Sequence, residues 1–98
     1  MIVVREVFQI QPDRMREVKA AAREMGTLEA EIGFPHIRMM TDLTGEYYTL
    51  VFESEYPDLG TFEKTIAIAF ANERWQALYQ KIRPAIQGGR REICQLVE

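Results

Sequence analysis

The 98-residue chain holds one cysteine, one tryptophan and one histidine. A single thiol excludes an internal disulfide, and Cys94, alternating with Leu96 in a strand-like run, reads as a small buried hydrophobe. With His36 as the only imidazole, a zinc or haem site built on several histidines is excluded, and neither metal nor cofactor is expected. A surplus of basic charge is also missing: 12 Lys and Arg stand against 15 Asp and Glu, for a net charge of −3. Displacing phosphate counterions needs a basic face, so no nucleic-acid partner is expected. No apolar run is long enough to span a membrane, and Met1-Ile2-Val3-Val4 enters a strand without a basic leader or cleavage site. The expectation is a reduced, cytoplasmic protein with no membrane partner.

What is present is a core and a clear order of elements. Hydrophobic residues make up 47% of the chain, enough for one domain over residues 1–98. Ile2 to Ile10 alternates, with Ile2, Val4, Glu6, Phe8 and Ile10 on one side and Val3, Arg5, Val7 and Gln9 on the other. Pro12 and Asp13 suit a helix start, and Met15, Val18, Ala22 and Met25 form an inward stripe, the intervening charges being a solvated face. Gly26 is expected to end or weaken this helix, with Thr27 to Ile32 adding a turn before Gly33-Phe34-Pro35 breaks it. His36 to Leu43 reads as a second strand, and Asp42-Leu43-Thr44-Gly45 as a tight turn into a third, Tyr47 to Phe52. A three-residue loop would set Met40 opposite Tyr48, Arg38 opposite Leu50 and His36 opposite Phe52. Glu53 to Asp58 is then expected to leave the sheet.

The second helical region changes face partway. Phe62, Ile66, Ala69 and Phe70 share one side of a helical wheel, whereas Trp75, Leu78, Tyr79, Ile82 and Ile86 cluster nearly opposite. One straight helix cannot bury both sets, so a break near Asn72 is expected, giving pieces at roughly 58–71 and 73–86, with Asn72 capping the second. Gly88-Gly89 reads as the stop of that helix and Arg90 to Glu98 as the last strand. The order β-α-β-β-α-β predicts an α+β fold, a ferredoxin-like sandwich with a four-stranded antiparallel sheet. In the third strand Tyr47, Thr49 and Val51 face one way and Tyr48, Leu50 and Phe52 the other, so neither face suits water. Two helices cover one side only, and the other asks for a second copy: a homodimer with its sheets face to face.

The runs Asp42-Leu43-Thr44-Gly45, Asn72-Glu73-Arg74-Trp75-Gln76-Ala77 and Gly88-Gly89-Arg90-Arg91-Glu92-Ile93 together resemble the NIPSNAP-like branch of the dimeric α/β-barrel superfamily. The resemblance covers nearly the whole chain and implies paired ferredoxin-like sheets forming a barrel. It also implies a pocket between each sheet and its helices. Superfamily members include cofactor-independent monooxygenases, isomerases, haem-handling enzymes and ligand-sensing domains, so the resemblance fixes no reaction.

The candidate pocket or interface residues are Glu6, His36, Arg38, Glu53, Trp75, Tyr79 and Arg91. A charge within an apolar strand must be paired or opened to a cavity, which singles out Glu6, Arg38, Glu53 and Arg91 as ion pairs between sheets or subunits, or as a carboxylate anchor and proton acceptor. His36, at a strand end, reads first as a surface or capping group, although its pKa suits proton transfer. Asn72, Trp75 and Tyr79 project from one side of the last helical piece and read as cap and core stripe. In monooxygenases of the resembled superfamily, a similar mixture of Asn, Trp and Tyr holds an aromatic substrate. Gly45 to Phe52 also loosely resembles the aromatic third strand of an RNA-recognition motif, but Glu46 and a pI near 5.2 speak against it. The leading expectation is a small apolar or aromatic ligand, or an assembly role. The alternative is a cofactor-independent monooxygenase or isomerase acting on a small aromatic or lactone-like substrate, with Arg38, Glu6 and Trp75 near it.

Overall fold

A computed structural model describes Met1–Glu98. Strand β1, Ile2–Ile10, leads through a 3-10 turn at Pro12–Arg14 into helix α1, Met15–Glu31. Strands β2, Ile37–Thr41, and β3, Thr49–Tyr56, follow, then helices α2, Leu59–Phe70, and α3, Glu73–Ile82. A second 3-10 turn, Arg83–Ala85, delivers the chain to β4, Ile86–Gln95. The strands form one antiparallel sheet in the order β2-β3-β1-β4, the ferredoxin-like topology.

The alternation in β1 sets the layers. Ile2, Val4 and Ile10 point into the helix side, where Ile10 joins Val18, Ala22, Met25, Leu50, Trp75 and Ile82 in one apolar cluster. Ile2 and Val4 join Tyr56 and Phe62 in a second. Asp58 caps α2 by accepting from the Thr61 N–H at 2.7 Å. At the end of α2, Asn72 Oδ1 accepts from the Trp75 N–H at 2.9 Å and starts α3, so the two apolar stripes are buried by two helices.

Several boundaries differ from the sequence reading. Helix α1 runs through Gly26 without a break and stops before Gly33, whose φ of +95° is left-handed. The hairpin loop is longer than a three-residue turn: Tyr48 takes φ of +59°, and Asp42 Oδ1 accepts from the Thr49 N–H at 2.9 Å. Tyr47 and Tyr48 therefore lie off the sheet, with Tyr47 83% exposed, and form no base-stacking platform on it. The register shifts accordingly, with Arg38 opposite Glu53 and Met40 opposite Val51, and Glu53 stays inside β3. Gly88 and Gly89 end no helix; they pair with Gln9 and Phe8 inside β4. A Cβ on Gly89 would stand 2.5 Å from the Val7 carbonyl oxygen, so only glycine fits this approach.

The helix-free face of the sheet is less apolar than its sequence pattern suggests. Val7 and Val51 are buried there, yet a row of charges crosses it. Arg38 pairs with Glu53, Arg5 lies 3.3 Å from Glu53 and 3.1 Å from Glu92, and Glu92 takes Arg90 at 2.8 Å. Alternating signs on directly opposed residues neutralise one another across four strands. Cys94, read as buried from its alternation, is exposed, because β4 is a sheet edge.

Candidate functional site

A cavity of about 150 Å³ lies between the sheet and its helices, walled by members of both apolar clusters. Its aromatic lining is interlocked. Phe8 and Phe52, on adjacent strands, meet edge to face with centroids 5.9 Å apart, and Tyr56 meets Phe62 in the same manner at 5.1 Å. Trp75 and Tyr79, one turn apart on α3, stack at 5.2 Å with planes 16° apart, and Phe70 closes edge-on against Trp75 at 5.1 Å. The spacing of four residues that placed Trp75 and Tyr79 on one face is thus what builds the aromatic wall.

Two polar stations interrupt this wall. At one, Glu6 on β1 accepts from Arg91 Nε on β4, directly opposite it in the ladder. The Arg91 guanidinium also lies 5.2 Å from the centre of the Phe62 ring, a cation–π contact. At the other, Glu29 on α1 is only 9% exposed, and its Oε2 accepts from the Trp75 indole N–H at 3.0 Å. No cation pairs with Glu29; burial pushes its carboxyl above the ordinary value and the indole hydrogen bond offsets this only in part. Tyr56, also in the wall, is raised chiefly by burial, so its hydroxyl keeps its proton over a wide pH range.

The candidate residues divide by face. Glu6, Trp75, Tyr79 and Arg91 come together around the cavity. Arg38 and Glu53 belong to the charged row on the helix-free face, so Arg38 stands away from any molecule in the cavity. His36 is exposed just before β2, beside an open surface cleft that it shares with Lys19, Arg23 and Met39. Glu29 escaped sequence reasoning, because an acidic residue in a charged helix reads as solvated. The signal was its spacing: Val18, Ala22, Met25 and Glu29 continue one inward stripe at intervals of four, three and four.

A four-stranded antiparallel sheet carrying its helices on one face, with an aromatic cavity between the layers, defines an α+β ferredoxin-like protein of the kind seen in monooxygenase-like folds. The NIPSNAP family model matches residues 4–98, and the chain belongs to the NIPSNAP family. Among solved structures, a NIPSNAP family protein from Agrobacterium tumefaciens is 20% identical and superposes with a TM-score of 0.89 over 99% of this chain and 93% of its own. An uncharacterised NIPSNAP domain protein from Burkholderia xenovorans is 18% identical, with a TM-score of 0.86 over 99% and 95%. An antibiotic biosynthesis monooxygenase, 20% identical, gives a TM-score of 0.80 over the whole of both chains. At these identities the likeness establishes the fold. No curated protein matches the sequence. No helix is long and apolar enough to cross a membrane.

Proposed function

We propose that the protein binds a small apolar or aromatic molecule in the cavity between its sheet and helices, and does so as a cytoplasmic homodimer. The observation that carries the binding reading is the cavity itself: an aromatic lining broken by two polar stations, Glu29 with Trp75 and Glu6 with Arg91. Apolar walls with a few convergent polar groups are the usual form of a small-ligand site. A dry apolar cavity of similar volume accepts a benzene-sized guest, which sets the ligand at about one ring. The dimer reading is supported by a helix-free face whose charges pair with one another and whose Met40 and Cys94 are exposed. An exposed, unpaired thiol suits a reducing compartment.

Amide-resolved NMR with toluene as the probe tests the binding reading. Saturable shifts at Phe8, Phe52, Trp75 and Tyr79 are expected; shifts confined to the loops, or none, would leave an assembly role in its place. A second reading, a cofactor-independent monooxygenase or isomerase acting on a small aromatic or lactone-like compound, is favoured by the two carboxyl groups, Glu6 and Glu29, that share the cavity with stacked rings. It predicts turnover that Glu6→Gln or Glu29→Gln abolishes while the fold persists.

A further inference from the structure

Glu29 is a buried carboxyl group with no cationic partner, and it lines a cavity walled mainly by aromatic and aliphatic side chains. An isolated carboxylate in such surroundings is costly, whereas a carboxylic acid is a neutral donor. Its Oε2 is taken by the Trp75 N–H, which leaves Oε1 as the atom able to carry a proton and donate it in a hydrogen bond. Of the other polar groups of the wall, Glu6 is paired with Arg91, while Ser54, Tyr56 and Tyr79 carry hydroxyls that can donate whatever the state of Glu29, so it is dependence on Glu29 that distinguishes the acid from them. No titratable side chain of α2 lines the cavity.

Resting on the reading of this cavity as a ligand site, we infer that Glu29, in its protonated form, is the specificity-determining residue of the pocket and selects single-ring aromatic ligands that carry a carbonyl oxygen. The rings form the slot, and the acid reads the one acceptor atom. A ligand without that oxygen fills the slot and leaves the acid proton unpartnered, a loss that falls on the polar group of the protein.

The test compares two probes of the same shape, acetophenone and α-methylstyrene, which differ by C=O against C=CH2. Binding is followed by titration of the wild-type protein from below the ordinary carboxyl value of 4.5 upward to alkaline pH. The expected result is a preference for acetophenone of about three- to tenfold, the range of one hydrogen bond, at the acidic end and its loss as Glu29 ionises. Glu29→Gln keeps an acceptor for Trp75 and an N–H donor for the ketone, so it should retain the preference and free it from pH. Glu29→Leu should bind both probes equally. Saturable binding of both probes without discrimination by the wild-type protein, or discrimination that survives in Glu29→Leu, overturns the role of Glu29 and leaves the pocket reading standing. Failure of both probes to bind overturns the pocket reading and this inference with it.

Discussion

The indole N–H of Trp75 donates to Glu29 Oε2 across 3.0 Å, joining α3 to α1 at the wall of the cavity. Trp75 needs an acceptor because a buried indole N–H without one is expensive, and Glu29 is the side chain that α1 presents there. The pair does structural and chemical work together. It locks the aromatic wall in place and keeps a carboxyl group where water is scarce.

The pH dependence of stability follows from this burial. The folded state raises the Glu29 pKa from its ordinary 4.5, so between that value and the folded one the folded chain binds more protons than the unfolded chain. The contribution of Glu29 is therefore fully favourable below the ordinary value and is lost as pH rises through the folded value. Urea midpoints of wild type and Glu29→Gln, compared across pH, should diverge in that window, with the variant gaining relative stability as pH rises. Parallel curves would contradict it.

Asn72→Ala removes the acceptor for the backbone N–H of Trp75 and should cost about 1 kcal/mol in denaturant unfolding. Asn72→Ser should recover most of it. A loss well below this in Asn72→Ala would mean that packing alone separates α2 from α3.

Gly88 and Gly89 make a matched pair. A Cβ at Gly88 meets nothing within 4 Å, whereas at Gly89 it collides with the Val7 carbonyl oxygen and crowds Phe8, one of the cavity rings. Gly89→Ala should lower stability by about 1–3 kcal/mol and weaken ligand binding, and Gly88→Ala should change stability by less than about 0.5 kcal/mol. Equal effects in chemical denaturation would contradict the close approach.

Much of this fold was legible in the amino-acid pattern. The alternation of Ile2 to Ile10 marked β1 at both ends, and the change of apolar face between Phe70 and Trp75 located the helix break. What misled was composition without context. Tyr47 and Tyr48 look like strand residues, but the Asp42 carboxylate and the left-handed Tyr48 make them loop, and the register moved with them. Gly88-Gly89 looks like a helix stop, yet the glycines answer a crowding that exists only once β4 lies on β1. Of the cavity, the aromatic stripe was readable, and Glu6 and Arg91 were marked as strand charges needing partners; their pairing with each other within one sheet was not, and Arg38 and Glu53 went to the other face through theirs. Glu29 was hidden by its charge.

The helix-free face carries the prediction about assembly. Light scattering at micromolar concentration should give twice the 11.4 kDa chain mass, and a monomer would contradict the dimer. Arg5→Glu sets three carboxylates, at residues 53, 5 and 92, in one row across the strands and should shift the protein toward monomer.

Trp75 is the only tryptophan of the chain and stands in the cavity wall, so its fluorescence reports directly on occupancy. Titration with toluene should change that emission along a saturable, one-site curve. Ser54→Phe, which fills the cavity from β3, should abolish the change. Emission that does not respond, or responds linearly and equally in both proteins, would contradict a ligand site between the sheet and its helices.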